Sequence, residues 1–168
     1  MTSRRRQNHA APHTHAHAAT RSGAYFITAC TQDRRCLFGD ISDGVMHLNA
    51  LGEIVQATWL QPPPRQPQGL SRGALVVMPN HIHAIVRIQA STAAPVCLRD
   101  EIRAFKSLVT QRINIVLDTP GAIVWERHAH EHLLRSDLDE ERATAALLTN
   151  PQRWSDDALH PDVGRFEP

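Results

Sequence analysis

Apolar side chains recur along the chain with two periods, and each period marks an element. Residues 24–30 are rich in β-formers and predict a strand. Residues 40–44 read as a turn, and residues 45–48 suit a short strand. Leu51, Ile54, Val55 and Trp59 fall at helical spacing behind Asn49, a side chain suited to capping, so a helix is predicted from Ala50 to Leu60. Pro62-Pro63-Pro64 ends it, and residues 65–72 read as a polar loop. Residues 74–78 form an apolar run that predicts a buried strand. Pro79-Asn80 breaks it, and residues 81–88 alternate as a second strand. After a loop at 90–95, Ile102, Phe105, Leu108, Val109, Ile113 and Val116 place one apolar face on a long helix from Leu98 to Leu117. Thr119-Pro120-Gly121 stops it. Residues 130–134 suit a strand with His130 and His132 on one side. Ser136 or Asp137 caps a last helix that runs to about Thr149, and Pro151 follows it. The order β-β-α-β-β-α-β-α predicts an α+β fold, an antiparallel sheet covered by helices, with no internal repeat.

The 168 residues amount to about one domain. No apolar run approaches the ~20 residues of a membrane span, and residues 1–21 carry no apolar segment of a secretory signal, so a cytoplasmic protein is expected. Cys30, Cys36 and Cys97 are odd in number and lack metal-ligand spacing, which favours reduced thiols in the core over a disulfide scaffold. A net charge of +1 excludes binding of nucleic acid by bulk charge alone, though not by a local basic face. Residues 1–22 hold Arg4-Arg5-Arg6 and His9, His13, His15 and His17 among small residues. They read as a disordered basic arm before a single domain at 23–161, with a tail at 162–168.

Chemistry concentrates at Met78-Pro79-Asn80-His81-Ile82-His83. Two histidines two apart on a strand point to one face, with Ile82 on the other, so both imidazoles can meet one divalent cation. The bare pattern is weak, and a packed or solvated pair fits it as well. Other stretches add to it. Residues 76–83, together with residues 23–32, Cys36-Leu37-Phe38-Gly39, residues 48–55, residues 105–114, Val124-Trp125-Glu126-Arg127, Glu131-His132-Leu133-Leu134-Arg135 and Asn150-Pro151-Gln152-Arg153-Trp154, resemble the REP-associated tyrosine transposases, a branch of the single-tyrosine transposases with a histidine-hydrophobe-histidine motif. The resemblance runs in order from about Gly23 to Pro161.

It implies a ferredoxin-like α+β domain, commonly dimeric, acting on single-stranded DNA hairpins. It also implies Mg²⁺ or Mn²⁺ held by His81 and His83. A tyrosine of the last helix would attack phosphorus and leave a 5′-phosphotyrosine. That tyrosine position, four residues before Asn150, is Ala146 here. The one tyrosine of the chain, Tyr25, lies on the first predicted strand and reads as a packing residue. The resemblance therefore implies a DNA- and metal-binding chain without strand transfer. A non-catalytic regulator at repeated palindromes, or a metal-dependent hydrolase using His81 and His83, are the alternatives. Asn150 projects from the face of Ala146 and is either a third metal ligand or a helix C-cap. Arg99, Arg103, Lys106 and Arg112 on the long helix, with Arg127 and Arg135, are candidate DNA phosphate contacts, or else a solvated face. Trp125 and Trp154 either stack on bases or are buried. His128, His130 and His132 line a surface or are solvated.

Overall fold

The computed structural model describes residues 20–61, 67–90 and 95–162. Among these, the chain forms β1 (Gly23–Cys30), β2 (Gly39–Ser42), β3 (Val45–Leu48), α1 (Ala50–Leu60), β4 (Leu70–Met78), β5 (His81–Ile88), α2 (Leu98–Leu117), β6 (His130–Leu134) and α3 (Asp137–Thr149), followed by a 3₁₀ segment at Asn150–Asp156. The main sheet is antiparallel in the order β4-β5-β1-β6. With α1 before β4 and α2 after β5, this is the β-α-β-β-α-β arrangement of ferredoxin-like folds. The β2–β3 hairpin is inserted before α1, and α3 is appended after β6. The α+β expectation is met.

Two expectations for element bounds change. Residues 40–42, read as turn, belong to β2, because their backbone pairs with β3 although only Ile41 is a large apolar residue. β4 begins at Leu70, not 74, with an irregularity between Arg72 and Leu75 that admits polar residues to the strand. The expected arm lies outside the described residues up to residue 19, as do Pro62-Pro63-Pro64, residues 91–94 and most of the tail. Thr20 is tied down: its N–H donates to the Val96 carbonyl at 2.8 Å, and its hydroxyl accepts from the Leu98 N–H at 2.8 Å, capping α2.

The alternation of β1 and β5 sorts their side chains to two faces. Tyr25, Ile27 and Ala29 join Ile82, Ala84 and Val86 in the main core, against Val55 and Trp59 of α1 and Phe105, Val109 and Ile113 of α2. Tyr25 is a packing residue, as expected; its hydroxyl donates to the Arg21 carbonyl at 2.9 Å. Phe26, Thr28, His81, His83 and Ile85 stand on the second face, which α3 covers by packing on β4, β5 and β6. Asn49 caps α1, its side-chain oxygen accepting from Leu51 and Gly52 N–H. A Cβ on Gly52 would collide with the Phe38 carbonyl, so α1 sits where only glycine fits. Ser136 caps α3 through the Asp139 N–H at 3.1 Å. The cysteines are unpaired. Cys30 is buried, but Cys36 is exposed and Cys97 half-buried, so the core reading holds for Cys30 alone.

Candidate metal centre

Pro79-Asn80 forms the two-residue turn between β4 and β5, and its fixation positions the histidines. The Pro79 carbonyl accepts from Leu37 and Phe38 N–H at 2.9 and 3.0 Å. The Asn80 carbonyl accepts from the Thr31 N–H at 2.8 Å and the Thr31 hydroxyl at 3.0 Å. The fully buried Asn80 amide donates to the carbonyls of Arg34 (3.1 Å) and Leu159 (2.7 Å). The turn is thereby anchored both to the segment after β1 and to the segment after α3.

From this anchor β5 leads His81 and His83 onto the second face, with Ile82 buried on the other, as the spacing predicts. Their Nε2 atoms stand 3.1 Å apart. Because the Asn80 amide nitrogen donates elsewhere, its oxygen is the acceptor for His81 Nδ1, 2.8 Å away. That leaves a lone pair on His81 Nε2, which accepts from His83 Nε2–H. His83 Nδ1 in turn accepts from the Thr28 hydroxyl at 2.9 Å. Moving one proton to His83 Nδ1, with Thr28 as its acceptor, frees both Nε2 lone pairs for a cation. Burial pushes both histidines below their ordinary pKa, and for His81 repulsion from a protonated His83 adds to it; Asp157 opposes the shift in each. Both imidazoles are therefore neutral at pH 7, the form that ligates metal.

The sequence reading did not anticipate Asp157. Its Oδ2 lies 3.8 Å from His81 Nε2, and one donor atom each of His81, His83 and Asp157 fall within 4.8 Å of one another. The residue lies just past the 3₁₀ segment, where the chain folds back over the histidines. Its Oδ1 accepts from the Leu159 N–H at 2.7 Å, and its backbone N–H donates to the Trp154 carbonyl at 3.1 Å. The carboxylate is thus held in place, and no spacing in the sequence links it to the histidines. Asn150 closes α3 and donates from its amide to Asp157 Oδ2 at 3.2 Å. Two neutral imidazoles and a carboxylate suit a divalent cation. His81 and His83, with Asp157, would hold such a cation, which would supply Lewis-acid polarisation of a bound phosphate. Ala146, one helical turn before Asn150, is exposed.

The candidate DNA contacts divide. Arg99, Arg103, Lys106 and Arg127 line one groove of about 690 Å³ between α2 and residues 121–131; Arg112 and Arg135 lie outside it. Arg99 pairs with Glu131 at 2.9 Å and Arg103 with Asp100 at 3.1 Å. Lys106 donates to the Glu126 carbonyl at 2.6 Å, and Arg112 to the Thr58 hydroxyl at 2.8 Å. Arg127 and Arg135 are exposed. Trp125 is buried beside Phe38 and Phe105, whereas Trp154 is half-buried. His128, His130 and His132 are exposed, the last two on the histidine-bearing face of the sheet. No helix among the described residues is long and apolar enough to cross a membrane.

No family model matches the chain. It is similar to an uncharacterised protein of Haemophilus influenzae, 31% identical over 161 residues that span 83% of this chain and 86% of that one. In structure it is similar to a REP-associated tyrosine transposase bound to a REP hairpin, with a TM-score of 0.54 at 15% identity, covering 99% of this chain and 96% of the other. The resemblance drawn from the sequence thus extends to the fold.

Proposed function

The chain belongs to one family with the Haemophilus influenzae protein and has the fold of a REP-associated tyrosine transposase, and from that premise we propose that it binds single-stranded DNA hairpins and a divalent cation without transferring strands. The observation that carries this reading is the convergence of His81 Nε2, His83 Nε2 and an Asp157 carboxylate oxygen on the second face of the sheet. His81 and His83 hold Mg²⁺ or Mn²⁺, with Asp157 as third ligand. Asn150 orients that carboxylate or joins the ligand set. A cation so held polarises a phosphodiester. Asn80 and Thr28 aim the imidazoles, and burial keeps them neutral. Ala146 offers no nucleophilic atom where a tyrosine would attack. Arg99, Arg103, Lys106 and Arg127 on their common groove, with Arg112 and Arg135, contact phosphates. A second copy of the chain is the remaining partner, tested by sedimentation.

The test is calorimetric titration with Mn²⁺, followed by binding of hairpin oligonucleotides drawn from repeats flanking the gene. One ion per chain is expected, lost in His81→Ala and His83→Ala, with hairpin binding retained in the native protein. Failure of both titrations overturns the reading. Metal-dependent cleavage without a covalent adduct favours the hydrolase alternative.

A further inference from the structure

Five rings follow one another across the second face of the sheet. Phe26 and His83 have centroids 5.0 Å apart, His83 and His81 4.6 Å, His81 and Trp154 6.0 Å, and Trp154 and His160 4.6 Å. The series begins on β1, passes through both metal-facing imidazoles and ends on the segment after α3. Trp154 is unlike the other two tryptophans. Trp59 and Trp125 belong to the main core, at 6% and 5% exposure. Trp154 lies outside it, half-exposed, with two imidazole rings beside it. Its indole N–H makes no hydrogen bond among the described residues, as is also true of the buried Trp125, whereas that of Trp59 donates to the Gly73 carbonyl at 3.0 Å. The Trp154 carbonyl accepts from the Asp157 N–H at 3.1 Å, which ties the turn carrying the ring to the residue carrying the metal-facing carboxylate. Arg153 beside it is exposed.

We propose that the Trp154 indole, backed by His160, is a stacking platform for an unpaired nucleobase of a DNA strand whose phosphate lies at the His81–His83–Asp157 centre. The proposal rests on the DNA-binding reading above. A half-exposed indole whose N–H has no partner among the described residues, beside a candidate cation site, matches the two parts of a nucleotide, a base and a phosphate. The 6.0 Å between the Trp154 and His81 rings is shorter than two nucleotides of a stacked strand at ~3.4 Å each. Stacking on an indole is tolerant of sequence, so the platform holds the strand in register without selecting a base.

The experiment compares the decamer of thymidylate with an abasic decamer of the same backbone, in Mn²⁺, by quenching of tryptophan fluorescence and by anisotropy. With Trp59 and Trp125 buried, quenching reports Trp154. Native protein is expected to bind the thymidylate decamer about 10-fold more tightly than the abasic one. Quenching should be lost in Trp154→Phe, while that variant keeps part of the preference. Trp154→Ala should bind both decamers alike. Equal affinity of the native protein for the two decamers overturns the platform and leaves the DNA-binding reading standing. A base preference that survives Trp154→Ala does the same. If native protein binds neither decamer, the platform falls, and the DNA-binding reading is decided by the hairpin titration above.

Discussion

Asn80→Ala is the most informative single change outside the metal-facing residues. The native side chain is fully buried and makes three hydrogen bonds, to the Arg34 and Leu159 carbonyls and to His81 Nδ1. At a net ~1 kcal/mol for each bond, their loss should lower stability by about 3 kcal/mol, with further cost where a stranded partner stays dry. For a chain of this length that corresponds to roughly 6–12 °C in Tm. The same change frees His81 Nδ1, so its ring is no longer held in one tautomer, and affinity for Mn²⁺ should fall about 10–100-fold. Asn80→Asp separates the two roles. It keeps the acceptor for His81 but places a carboxylate against two carbonyl oxygens, so it should lose stability while keeping the imidazole oriented. Urea denaturation monitored by circular dichroism, read at constant m, gives the stability term. Calorimetric titration with Mn²⁺ gives the other. A loss under 1 kcal/mol in Asn80→Ala together with unchanged Mn²⁺ affinity would refute the account of the turn.

Further outcomes are expected. His81 and His83 are held below their ordinary pKa, so the folded metal-free protein takes up fewer protons than the unfolded chain. Its stability is then full above about pH 6.5 and falls below it, by ~1.4 kcal/mol per pH unit for each histidine until the folded values are reached; urea midpoints at pH 7 and 5 check this, and a flat profile contradicts it. Gly52→Ala should destabilise by about 1–3 kcal/mol despite the better helix propensity of alanine, because its Cβ meets the Phe38 carbonyl; a gain in Tm would show that α1 can shift freely. Arg127→Ala should weaken hairpin binding and reduce the slope of log affinity against log salt by about 1, measured by anisotropy across a salt series; an unchanged slope removes Arg127 from the interface.

Local rules reached much of this structure. Asn49 and Ser136 announce α1 and α3 because a capping side chain acts within three residues of itself. His81 and His83 announce a shared face because strand geometry has a period of two. What escaped the sequence depends on distant contacts. Thr20 caps α2 from 78 residues away, so its role cannot be read from its neighbours. β2 escaped because its single large apolar residue carries no alternation, and its pairing with β3 supplies the order. Asp157 escaped because only the fold-back after α3, fastened by Asn80 to the Leu159 carbonyl, brings it to the histidines.

The central claim is a scaffold that keeps its cation and DNA while lacking its nucleophile. It is tested most directly by incubating native protein and Ala146→Tyr with hairpin DNA and Mn²⁺, and resolving covalent protein–DNA adducts on a denaturing gel. The account predicts an adduct in Ala146→Tyr alone, with hairpin binding in both proteins. An adduct formed by the native chain would contradict it.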